Sequence, residues 1–87
     1  MIYIVAWSFK PEHRNLVQAR FKETGGLPPD GIKMLGRWHG TATNKGVCVA
    51  ETDDALAIAR WGQDWSDLMS FDIYPALTDE DTAKVIS

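Results

Sequence analysis

The chain begins with an apolar run, Ile2 to Phe9, rich in β-branched and aromatic residues. Such a run reads as a strand buried on both sides, the centre of a covered sheet. Ile2, Ile4 and Ala6 fall on one face; Tyr3, Val5, Trp7 and Phe9 fall on the other. After Pro11 the spacing becomes helical. Leu16, Val17, Arg20 and Phe21 predict a helix to about Thr24, opened by Pro11 and Glu12 and stopped by Gly25-Gly26. Leu27 to Gly31 is a turn-forming loop. Ile32 to Gly40 predicts a second strand, with Ile32, Met34 and Trp38 on one face and Lys33, Arg37 and His39 on the other. Gly46 to Thr52 predicts a third, joined to the second as a hairpin through Thr41 to Lys45. A helix from about Asp54 to Asp67 follows, capped by Thr52, Asp53 or Asp54, with Ala55, Ile58, Ala59, Gly62 and Trp65 inward. Met69 to Tyr74 is a fourth strand ended by Pro75, and Thr78-x-x-Asp81 has the spacing to start a short helix over 79–86.

The order β-α-β-β-α-β is that of a ferredoxin-like α+β sandwich, one domain spanning 1–87, with a four-stranded antiparallel sheet and two helices on one face. The other face then needs a cover. Tyr3, Val5, Trp7 and Phe9 are too much apolar surface to leave in water, so a second copy is expected on it, forming a homodimer of the dimeric α/β-barrel kind.

Length strengthens that expectation. A chain of 87 residues buries only roughly 60–65% of its unfolded surface. Cys48 is the one cysteine, so no disulfide supports the core. The formal net charge of −3 supplies no basic stripe, which argues against nucleic acid or an anionic membrane as partner. The N-terminal apolar run lacks a basic start and ends at Lys10, unlike a signal peptide or a spanning helix. One unpaired cysteine suits the cytoplasm. No zinc spacing, phosphate-binding glycine loop or nucleophile elbow is present, and neither a metal nor a cofactor is expected.

Polar chemistry concentrates in Gly36-Arg37-Trp38-His39-Gly40. A cation and an imidazole two residues apart beside a large aromatic exceed the needs of sheet packing. Functionally, Arg37 would anchor an anionic group and His39 would transfer a proton or hold a polar group. Structurally, Arg37 would pair with Glu51 across the hairpin and His39 would bond to the backbone; Glu51 is also counted among the ligand-binding candidates. Trp7, Trp38, Trp61 and Trp65 either fill the core or line an aromatic pocket. Cys48 reads as a small buried hydrophobe, His13 as a solvent-exposed residue, and the acidic clusters at 53–54 and 79–81 as helix caps.

The chain resembles a bacterial and cyanophage family of small proteins described as a domain of unknown function. The resemblance rests on Tyr3-x-Val5-x-Trp7, Lys10-Pro11-Glu12-His13-Arg14, Arg20-Phe21-Lys22-Glu23-Thr24-Gly25, Pro28-Pro29-x-Gly31, Gly36-Arg37-Trp38-His39, Glu51-Thr52-Asp53-Asp54 and Trp65-Ser66-Asp67-Leu68. That family is similar to the wider dimeric α/β-barrel group, which implies the same fold and a dimer. The group includes cofactor-independent monooxygenases, haem-degrading enzymes, lactone isomerases and ligand-binding modules, and no catalytic set from it maps residue by residue here.

Three functional expectations follow. The first is a binding module holding a small apolar or aromatic ligand, with or without a carboxylate, among Trp7, Trp38 and Trp65, with Arg37 at an anionic end and His39 at a polar one. The second is a cofactor-free monooxygenase or isomerase with His39 as general base and Arg37 stabilising an enolate-like anion. The third is a structural or interaction module without a pocket.

Overall fold

The polypeptide, described over residues 1–87 in a computed structural model, folds as expected from its pattern. The elements are β1 (Ile2–Ser8), α1 (Arg14–Thr24), β2 (Lys33–His39), β3 (Lys45–Glu51), α2 (Ala55–Gln63), β4 (Ser70–Ala76) and α3 (Asp79–Ile86). A single 3-10 turn, Pro11–His13, leads into α1. The strands form one antiparallel sheet in the order β2-β3-β1-β4, with β1 inside it as its two apolar faces require. This is the ferredoxin-like β-α-β-β-α-β arrangement, with α3 added after β4.

Local chemistry sets the boundaries. The Gly25 C-cap is left-handed at φ 75°, and its N–H reaches the Phe21 carbonyl oxygen at 2.7 Å. Asp54 is the cap of α2, accepting from the Leu56 and Ala57 amides at 3.0 and 3.2 Å. Thr78 caps α3 through the Asp81 amide. α2 ends at Gln63, short of the expected Asp67, and the chain turns on through Leu68. Pro75 lies inside β4 and does not end it, because β4 is an edge strand whose outer amides need no partner.

Facial assignments on α1, on α2 and on two strands differ from expectation; on α2, Ala55 and Ala59 are exposed, and Ala57, Ile58, Trp61 and Gly62 are the buried residues. The face of β1 that meets the helices carries Tyr3, Val5 and Trp7. These pack with Cys48, Ala50, Ile58 and Trp61, and the face left open carries Ile2, Ile4 and Ala6. The layer between helices and sheet has to be filled by large side chains, and the aromatic face of β1 fills it. Leu16 likewise points outward, and Val17 is the buried residue of α1.

The last difference comes from a bulge in β2. Met34 pairs with Ala50 and Gly36 with Val49, so Leu35 is an extra residue without a partner. One inserted residue reverses the alternation beyond it. Ile32 and Met34 therefore share the helix side with Arg37 and His39, while Trp38 turns to the open face, where its ring lies over Gly36.

Candidate functional site

The side chains on the helix face do not fill the layer completely. A cavity of about 330 Å³ remains between α1, α2 and the sheet. Its walls are aromatic: Trp7 and Phe9 from the first strand and its exit, Phe21 from α1, Trp61 and Trp65 from α2 and the following turn, and Phe71 from β4. Cys48 and Val5 lie at the sheet side. Gly46, directly opposite Trp7 in the ladder, leaves room for the indole to lie across β3.

His39, at the end of β2, reaches this cavity through the bulge. Its imidazole stands edge-on to Trp7 at 5.7 Å and to Phe21 at 5.2 Å between ring centroids. His39 is solvent-exposed, and these two rings are what fix its orientation. The hydrogen-bonded histidine is the other one. His13 donates from Nδ1 to the Leu68 carbonyl oxygen at 3.1 Å, so it is part-buried and not the solvent-exposed side chain expected.

Arg37 also lines the cavity, opposite Cys48 in the ladder, but its guanidinium is engaged. Nη1 donates to the Gly26 carbonyl oxygen at 2.7 Å and Nη2 to that of Gly25 at 2.9 Å, with the cation 4.9 Å from the Phe21 ring centroid. These carbonyls sit at the C-terminus of α1, where a cation is favoured. Arg37 thus holds α1 down on β2. It makes no pair with Glu51, which the bulge leaves on the opposite face, across from Lys33.

Of the proposed aromatic contacts, Trp7 and Trp65 line the cavity. Trp38 does not: it is 60% exposed on the other side of the sheet, and Glu51 is likewise outside. Residues that the sequence reading passed over complete the rim, among them Arg14 and Gln18 on the same side of α1 as Phe21, and Ala42 and Thr43 in the β2–β3 turn. The spacing Arg14-Gln18-Phe21 was the available signal, since positions three and four apart share a helix face. The lining includes three basic residues, Arg14, Arg37 and Lys45, and no Asp or Glu, although acids outnumber bases in the chain. Burial raises the Cys48 thiol above its ordinary pKa of 9.0, with Arg37 pulling the other way, so the thiol is neutral near pH 7. No three His, Cys, Asp or Glu side chains gather into a set that could hold a metal ion.

The far end of the helix layer is held by Arg20. Its guanidinium forks onto the Asp67 carboxylate at 2.8 and 2.7 Å, donates to the Asp64 carbonyl oxygen at 3.1 Å, and stands 5.3 Å from the Trp65 ring centroid. That hydrogen bond holds the Asp67 carboxyl below its ordinary value of 3.8. The cavity wall at Trp65 is therefore tied to α1 by a charged contact.

Fold and cavity together define a ferredoxin-like α+β protein with an aromatic-walled space between its helices and sheet. The chain belongs to the family described as a domain of unknown function, DUF3303, which matches it over residues 1–87. Among solved structures it is similar to Rv0793 from Mycobacterium tuberculosis, at 12% identity and a TM-score of 0.55, covering 90% of this chain and 96% of that one. A crystal structure of a putative antibiotic biosynthesis monooxygenase from Deinococcus radiodurans is also similar, at 12% identity and a TM-score of 0.48, covering 90% and 94%. The Rv0793 likeness is one of fold. No curated protein matches the sequence. No helix is long and apolar enough to cross a membrane.

Proposed function

We propose that the chain is a cytoplasmic homodimer that binds a small apolar or aromatic ligand between its helices and its sheet. One observation carries the reading: a cavity of about 330 Å³ walled by Trp7, Phe21, Trp61, Trp65 and Phe71, with its polar groups confined to a rim that is basic and free of acids. A space lined by rings and open at one polar end suits a flat ligand with one polar or anionic end. His39 at the rim would hold that end, helped by Arg14, while Arg37 supports the wall and adds positive charge. The reduced, buried Cys48 suits a cytoplasmic setting. The homodimer reading is supported by the open sheet face, where Ile2, Ile4, Val47 and Val49 have no helix above them.

The test is an NMR titration of the four indole N–H signals with benzoate, naphthoate and their neutral amides. The expected result is movement of Trp7, Trp61 and Trp65 with Trp38 unmoved, and tighter binding of the acids. Trp38 moving alone, or no indole moving, would sink the proposal.

A second reading, a cofactor-free oxygenase or isomerase, is favoured by the imidazole of His39, which is held by ring contacts at the cavity. It expects oxygen uptake, or isomer formation, with a bound electron-rich phenol or lactone. His39→Ala would then keep affinity and lose turnover. Turnover that survives the substitution would refute His39 as the base.

A further inference from the structure

We propose that α3 is an arm that packs its Thr82, Val85 and Ile86 face against a second copy of this chain. The inference rests on the homodimer reading above and specifies an element that completes the interface. Thr82, Val85 and Ile86 recur at i, i+3 and i+4 on one side of α3, while Glu80, Asp81 and Lys84 occupy the other, where Asp81 and Lys84 lie 3.5 Å apart. No residue of α3 is buried; Val85 is 71% exposed and Ile86 79%. Two turns of helix whose apolar side is β-branched have little intrinsic stability in water. The Thr78 cap secures its start, and the apolar face has nothing to pack on within its own chain.

The accessible surface indicates how much cover is missing. The chain exposes 6124 Å² at 9.7 kDa, where a compact chain of that mass exposes about 5,100 Å². The excess of about 1,000 Å² is close to the roughly 800 Å² that one partner contributes to a stable interface. The radius of gyration, 14.1 Å, likewise exceeds the roughly 12 Å of a compact domain of this length. The same chain leaves a second apolar surface uncovered, the open sheet face with Ile4, Val49 and Trp38. A two-fold axis brings like faces together, and one symmetric assembly in which each arm lies on the partner would cover both surfaces. That complementarity, with the matching area, commits the occupant to a second copy.

Sedimentation velocity over a dilution series and amide hydrogen exchange of the full chain test this, comparing wild type with a Val85→Asp, Ile86→Asp double variant and with Glu80→Ala on the polar side. The expected result is a dimer whose amides at 83–86 are protected and lose protection on dilution, a Kd weakened about tenfold or more by the double variant, and no change for Glu80→Ala. A dimer with an unchanged Kd and unprotected α3 amides would overturn the arm and leave the homodimer standing. A monomer at every concentration would overturn both, and protection of α3 in that monomer would place the helix on its own sheet. Far-UV circular dichroism of the double variant, read at the sheet, confirms that it folds; were it unfolded, Val85→Ser alone takes its place with the same two outcomes.

Discussion

Replacing Arg37 by Met would separate its role as a support from its role as an anion anchor. The side chain makes two charged hydrogen bonds, at 2.7 and 2.9 Å, to carbonyl oxygens that are themselves part-buried. Bonds to a charged donor contribute about 1.5–3 kcal/mol each, and partial solvent access brings the pair nearer the lower bound. The contact with Phe21 adds about 0.5–1 kcal/mol. Met retains the stem and its packing but leaves both carbonyls bare, so the expected loss is about 3 kcal/mol, a lowering of Tm by roughly 12–24 °C for a domain of this size. Arg37→Lys should recover less than half, because one ammonium cannot fork between two oxygens. The Gly26 backbone supplies a second arm to a double-mutant cycle: it sits at φ 57°, and an added Cβ would come 3.0 Å from Arg37 Nη1 and 3.1 Å from the Phe21 ring. Gly26→Ala should therefore be costly in wild type, and less so when Met has vacated the contact. Thermal melts followed by circular dichroism measure the four proteins of the cycle and Arg37→Lys. A Tm within a degree or two of wild type for Arg37→Met would refute the support role and return Arg37 to the ligand.

The remaining predictions concern single sites. Asp67 has its carboxyl pKa lowered by Arg20, so its contribution is present above the ordinary 3.8 and is lost as pH falls through the lower folded value; Asp67→Asn should flatten the acid limb of the Tm–pH curve, and an unchanged limb would refute the pairing. Cys48, 1% exposed and with its pKa raised by burial, should react with an aromatic disulfide reagent about a hundredfold or more slower than free cysteine, at a rate set by opening of the fold; prompt labelling of the native protein would refute its burial. The same shift means that stability falls as pH rises past 9.0, where the unfolded thiol ionises first, and Cys48→Ser should remove that fall. Ala42 holds φ 54° in the β2–β3 turn, so Ala42→Gly should raise stability by about 0.5 kcal/mol, a Tm gain of roughly 2–4 °C, after the added flexibility of glycine is subtracted; a lower Tm would show that the turn carries no strain.

Element order was legible because punctuation and period agreed. Pro11, Gly25-Gly26 and the polar turn before Lys45 each changed the pattern where an element ends. Cap identity was nearly legible: three consecutive residues could have capped α2, and Asp54 does so while Thr52 donates instead to the Gly31 carbonyl oxygen at 2.8 Å. What could not be read was sidedness. A strand apolar on both faces gives no local reason to choose which face meets the helices; that choice is made by the volume the helices leave, a tertiary quantity. The rim residues escaped for a related cause, since Arg14 and Gln18 look like ordinary solvent positions on α1 until the β2–β3 turn is placed opposite them.

The bulge at Leu35 shows how one residue decides the character of a site. With strict alternation from Met34, the helix side of β2 would carry Trp38, and Arg37 and His39 would face away from the helices. The cavity would then hold another indole and lack its imidazole, and the α1 C-terminus would lack the guanidinium that bonds its carbonyls. Bulging Leu35 out of the ladder exchanges these, sending Trp38 to a face that already gathers Val47 and Val49. The sequence does carry a trace of the event, two successive apolar residues, Met34 and Leu35, followed by a strand glycine, where an uninterrupted strand would alternate. Deleting Leu35 removes the extra residue and lets Gly36 follow Met34 directly in the ladder, so Arg37 and His39 should keep the helix side and Trp38 the open face. The expected outcome is a folded sheet, detectable by circular dichroism, in which the titration response stays at Trp7 and Trp38 is unmoved; a response that appears at Trp38 would refute Leu35 as the unpaired residue of β2.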